Sequence, residues 1–160
     1  MTAAPSVRSL AEERRAEIRA KAAAIGIDEA YIARLVDCFY ARVRTDAMLG
    51  PIFEAAIRDQ WEPHLARMKA FWNSVALNAG EYSGRPVPVH QRLHGITAAH
   101  FGRWLALFRE TLGQTAPSAD AVDYFMVRAE RIAASLQMAM FERFPGAGGG
   151  PPVLTTPRTA

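Results

Sequence analysis

Residues 28–44 read DEAYIARLVDCFYARVR, and within them Ile32, Leu35, Val36, Phe39 and Val43 recur at spacings of three and four. That period gathers the five side chains on one face of an α-helix; a strand would divide them between two faces. The same rhythm returns along the chain. Trp61, Leu65, Met68, Trp72 and Val75 share a face of a helix expected from about Ile57 to Asn78. Phe101, Trp104, Leu105 and Phe108 point inward from a helix that Thr97 would cap. Beyond Pro117 and Ser118 the longest stripe runs through Val122, Phe125, Met126, Ala129, Ile132, Ala133, Leu136 and Met140. No segment alternates as a half-buried strand does. The expected fold is all-α.

The breaks between these stretches set the organisation. SLAEERRAEIRAKAAAIG carries a capping-box pattern at Ser9 and Glu12 and stops at Gly26. Its inner face is mostly alanine, which suits a peripheral helix. TDAMLGPIF is expected to turn at Gly50 and Pro51, and NAGEYSGRPVP reads as loop. From Phe144 the chain reads FPGAGGGPPVLTTPRTA, a Gly/Pro-rich composition that cannot hold a helix and is expected to be disordered. The resulting division is a helical extension over 1–26, one domain over 27–144 and a tail over 145–160.

Bulk properties narrow the function classes. With 160 residues, half of them apolar, the chain can bury one sizeable core. A net charge of +3, with basic and acidic residues interspersed, provides no basic stripe for nucleic acid. The lone cysteine, Cys38, excludes an intrachain disulfide and a CxxC motif. No apolar run approaches the ~18 residues needed to span a membrane. Glu12, Glu13 and Glu17 argue against a transit peptide. The expected location is cytoplasmic.

Three of the four histidines, His90, His94 and His100, fall in RPVPVHQRLHGITAAHFGRW, residues 85–104. His90 and His94 stand four apart and could share a zinc ion on one helix face. No cysteine or acid stands at a matching spacing, however, and Gly95 would end that helix at once. A satisfied core or surface role is the ordinary reading of a lone histidine, and it suits His94 and His100. His90 differs because Pro86 and Pro88 stiffen its approach, so its side chain loses little entropy on binding. One neutral imidazole is what a haem iron takes from a protein on one side. Phe39, Phe53, Met68, Phe71, Trp72, Trp104 and Phe108 could line an apolar slot, although such a set commonly forms plain core. Tyr40, His64 and the Trp104 N–H lie on the same faces, and buried groups of this kind need hydrogen-bond partners. A ligand on iron would be one.

IARLVDCFYARVRTD, LGPIF, WEPHLARMKAFW, YSGRPVPVH and HFGRWLALFRET follow one another in this order. Together they resemble the truncated haemoglobins, specifically the group III (P-type) branch, over about residues 28 to 115, with a compatible last helix to about 144. The resemblance implies a truncated globin-like helical sandwich around one haem b, with an extra N-terminal helix. It implies that His90 is the proximal iron ligand and that Phe53 packs flat against the porphyrin. Tyr40, His64 and Trp104 would then face the distal side, where Met68, Phe71 and Trp72 line the cavity and Phe39 and Phe108 adjoin the haem. Arg67 matches a basic position able to reach a haem propionate, or it is simply solvated. Two departures stand out. The first ~25 residues have no counterpart in shorter members, and QRLHGIT is looser than the common pattern, which leaves His94 as a rival ligand. Cys38, beside Phe39, reads as a small buried apolar residue.

The implied function is binding of O₂, and of NO and CO, for ligand binding or NO/O₂ detoxification. Distal donors favour O₂ over CO, since O₂ on ferrous haem is the better acceptor. The alternative is a haem enzyme with nitric oxide dioxygenase or peroxidase-like activity. No flavin or nicotinamide site is legible, so that cycle would need a separate reductase. A helical module that has lost its haem is a third reading, against which His90, Phe53 and the distal trio count together.

Overall fold

The structure, a computed structural model, describes Ala4, residues 6–78 and residues 95–141. The stretch with His90 and His94, and the Gly/Pro-rich tail, lie outside the described residues. Among the described residues there are six helices and no strand. They are α1 (Val7–Ala24), α2 (Glu29–Thr45), α3 (Gly50–Ile57), α4 (Trp61–Leu77), α5 (Ala98–Thr115) and α6 (Ala119–Phe141). The all-α expectation is met. No described helix is long and apolar enough to cross a membrane.

Helix α2 is the hub, packing against α3, α4 and α5. Asp28 caps its start by accepting from the Tyr31 N–H at 2.8 Å. Tyr31, Ile32, Leu35, Val36, Phe39, Tyr40 and Val43 are all buried, as their period requires. From α6, Phe125, Met126 and Ala129 join the same core, while Phe101, Ala133 and Leu136 form a smaller cluster between α5 and α6. The buried Thr111 hydroxyl donates to the Leu107 carbonyl of its own helix at 2.7 Å, and the half-buried Tyr124 hydroxyl donates across to the Ala76 carbonyl of α4 at 2.7 Å.

Four local expectations are corrected. Helix α1 starts earlier than the Ser9 pattern suggested, because Ser6 is the cap and accepts from the Ser9 N–H at 3.2 Å. Gly50 and Pro51 do not turn the chain; they open α3, where a missing proline N–H costs nothing. The turn lies just before them. Asp46 accepts from the Met48 and Leu49 N–H groups at 3.1 and 2.9 Å, and Arg103 of α5 donates to it at 2.6 Å. Gly50 is needed there, since a Cβ would stand 2.8 Å from the Arg44 carbonyl oxygen. The helix expected from Ile57 starts at Trp61, because Arg58 takes a φ of 57° and breaks it from α3. Cys38 is half-buried rather than buried.

As its alanine face implies, α1 is peripheral, with Ala22 its one buried residue. Its far end is nevertheless clasped. Gly26 has a φ of +87°, and a Cβ on it would meet Pro117 at 2.5 Å. Beside it, Ser118 donates its hydroxyl to the Ile25 carbonyl at 2.9 Å and accepts from the Ala121 N–H at 3.1 Å, starting α6.

Candidate functional site

Phe39 and Tyr40 are consecutive on α2, about 100° apart around the helix, and each organises one group of rings. Phe39 meets Phe108 edge-on at 5.1 Å and Trp104 at 5.5 Å. Phe108 stacks on both Trp104 (5.5 Å, 5°) and Trp72 (5.1 Å, 17°), and Trp72 continues to Phe125. This places Trp72 and Phe108 in the main core, with Phe71 half-buried against Trp72. Met68 is partly buried on the same core. Arg67 is exposed.

The second group surrounds Tyr40. His64 of α4 lies edge-on to it at 5.2 Å, Phe53 of α3 at 6.0 Å and Trp61 of α4 at 6.2 Å. Tyr40 and His64 are therefore brought together directly, while Trp104 reaches them through Phe39. Burial holds the Tyr40 phenol far above its ordinary value, with no hydrogen bond from a described residue to bring it back. The hydroxyl stays protonated at any physiological pH and can donate. Trp104 is half-buried, and no described residue accepts from its indole N–H.

A third feature escaped the sequence reading. The period of α4 puts Trp61 on an apolar face, yet its Nε1 donates to Glu54 Oε2 at 3.1 Å. Arg44 Nε donates to Glu54 Oε1 at 2.9 Å, and its guanidinium lies 4.4 Å over the Trp61 ring. The Trp61 hydrogen bond first, and Arg44 second, hold the Glu54 carboxyl below its usual range. The only local signal was a carboxylate seven residues before a tryptophan, across a helix break, and that pattern carries no helical-face argument.

A recess of about 370 Å³ lies elsewhere, among α1, α4 and α6, and shares no residue with either group of rings. No cluster of His, Cys, Asp and Glu among the described residues could hold a bare metal ion. What the described residues provide is a buried donor among aromatic walls, which suits a flat apolar cofactor with a small polar ligand on it.

Comparison with known proteins agrees. The model of the bacterial-like globin family matches residues 23–142, so the chain belongs to the bacterial-like globins. Within them it falls in the group III truncated haemoglobins. It is 34% identical over 119 residues to the group 3 truncated hemoglobin ctb of Campylobacter jejuni, a match covering 72% of this chain and 93% of that protein. The crystal structure of the group III truncated hemoglobin from Campylobacter jejuni superposes with a TM-score of 0.68 at 33% identity, covering 78% of this chain and 96% of that one. A globin of this family binds haem and, on it, diatomic gases.

Proposed function

We propose that this chain binds haem b through His90 and holds O₂, in preference to CO, against donors from Tyr40 and Trp104, with His64 as a third polar group. The observation that carries this reading is the Tyr40 side chain, which is buried among the rings of Phe39, Phe53, Trp61 and His64 with no hydrogen bond to a described residue. A donor held there without an acceptor is available to a ligand that arrives later. Phe53, half-buried beside Tyr40, is the wall suited to the porphyrin face.

When bound, haem b would supply an iron able to take a diatomic molecule. The protein's part is to choose and retain that molecule. Tyr40 donates its hydroxyl proton and Trp104 its indole N–H, while the rings of Phe39 and Phe53 exclude water. A hydrogen bond to a partly charged acceptor contributes ~1.5–3 kcal/mol. One such bond slows release by about ten- to a hundredfold. Two donors make a poor carrier and a good holder, the property needed if O₂ is to await reaction with nitric oxide. Regeneration after that reaction falls to a separate reductase.

The test is an absorption spectrum of the ferric, ferrous and CO-bound protein beside His90→Gly, followed by O₂ release rates. A Soret band altered or lost in the variant supports His90. A spectrum identical to the parent's rules out His90 and makes His94 the next histidine to substitute.

A further inference from the structure

We propose that Glu54 is a positioning residue for the distal pocket: by tying the Trp61 N–H outward, it props Trp61 against Tyr40 and His64 and keeps that indole from competing as a donor. This rests on the distal reading above. Two tryptophans border the Tyr40 and Phe39 rings. The Trp104 N–H has no acceptor among the described residues, whereas the Trp61 N–H is committed to Glu54 at 3.1 Å. Their chemistry is the same, so what separates their roles is the carboxylate.

The geometry makes Glu54 an effective anchor. Both carboxylate oxygens are used, Oε2 by Trp61 and Oε1 by Arg44 at 2.9 Å. A carboxylate gripped at both oxygens cannot rotate freely, so the indole it holds cannot either. Arg44 adds a second restraint by lying 4.4 Å over the Trp61 ring. The buried Trp61 ring then meets His64 at 5.8 Å and Tyr40 at 6.2 Å, both edge-on. His64 and Tyr40 are themselves 5.2 Å apart, so each of the three rings limits the other two. Three helices thus meet in one arrangement: α3 contributes Glu54, α4 contributes Trp61 and His64, and α2 contributes Arg44 and Tyr40.

Glu54→Leu removes the acceptor, and Glu54→Gln keeps a carbonyl oxygen in its place. The first readout needs no haem: the Trp61 indole N–H resonance in ¹H–¹⁵N spectra of the haem-free chain. It should move upfield in Glu54→Leu and stay near the parent position in Glu54→Gln. The second readout is O₂ release from the haem-loaded protein, with Tyr40→Phe measured alongside. Release should quicken roughly fivefold in Glu54→Leu, a fraction of one hydrogen bond's worth, and stay within about twofold of the parent in Glu54→Gln. An unmoved Trp61 resonance in Glu54→Leu overturns the proposal at its root. A moved resonance with unchanged release, while Tyr40→Phe accelerates it, overturns the positioning role and leaves the distal reading standing. If Tyr40→Phe itself changes nothing, the distal reading fails, and the role of Glu54 fails with it.

Discussion

Phe39 and Tyr40 differ by one oxygen atom and one residue number, yet they face two kinds of interior. On the Phe39 side, rings pack on rings, from Trp104 through Phe108 and Trp72 to Phe125, in the manner of a crystal-dense core. On the Tyr40 side, the neighbours carry a ring nitrogen, an indole N–H and, behind them, a charged carboxylate. The first side uses aromatic area for stability. The second surrounds a donor that no described residue satisfies and leaves it available to a ligand. Stability and chemistry are separated here by 100° of helix.

Substitutions on the two sides should therefore fail differently. The largest effect is expected from Phe108→Ala, which leaves a cavity between two tryptophans and Phe39. It should cost ~3–5 kcal/mol in denaturant unfolding. A loss under about 1 kcal/mol would mean that the Phe39 side is not the main core. Tyr40→Phe should do the reverse, changing stability by less than ~1 kcal/mol and quickening O₂ release about ten- to a hundredfold. Stopped-flow displacement by CO would show it, and equal effects on stability and release would erase the contrast. Trp104→Phe keeps a ring on Phe108 and deletes only the N–H. Release should quicken about tenfold or less, with unfolding nearly unchanged.

The smallest effect tests the frame next to Trp104. Arg103 ties α5 to Asp46, whose carboxyl is held below its usual range by the Arg103 hydrogen bond first and the Leu49 N–H second. A carboxylate depressed in the folded state stabilises it above the ordinary unfolded value near pH 4, and that contribution disappears as pH falls through the lower folded value. Asp46→Asn should cost about 1 kcal/mol at neutral pH. Its unfolding midpoint should also fall less steeply in acid than the parent's; parallel acid profiles would contradict the assignment.

What the sequence disclosed follows from the range of the forces involved. The stripes of α2, α5 and α6 were legible because a helix repeats its burial every three or four residues, and Ile32, Phe39, Phe108 and Phe125 obey that rule. The family motifs are equally local, so Tyr40, His64 and Trp104 could be singled out together. Gly50 and Pro51 misled because one dipeptide suits both a turn and a helix's first residues. Ser9 misled because Ser6, three residues earlier, offers the same hydroxyl. The pairs that shape the site's rim were out of reach: Asp46 and Arg103 are 57 residues apart, and Glu54 meets Trp61 across the helix break at Arg58.

One consequence concerns the order in which the molecule is made. The hydroxyl of Ser118 that starts α6 also holds the carbonyl of Ile25, across 93 residues. Most of α1 precedes residue 23, where the match to the globin family begins. It leaves the ribosome before the helices of the globin match, yet its clasp cannot close until the α5–α6 turn has followed. A segment synthesised ahead of the globin helices is thus fastened only after most of them, so an interruption of translation before Ser118 would release a chain whose α1 lacks this clasp, however well its middle had folded.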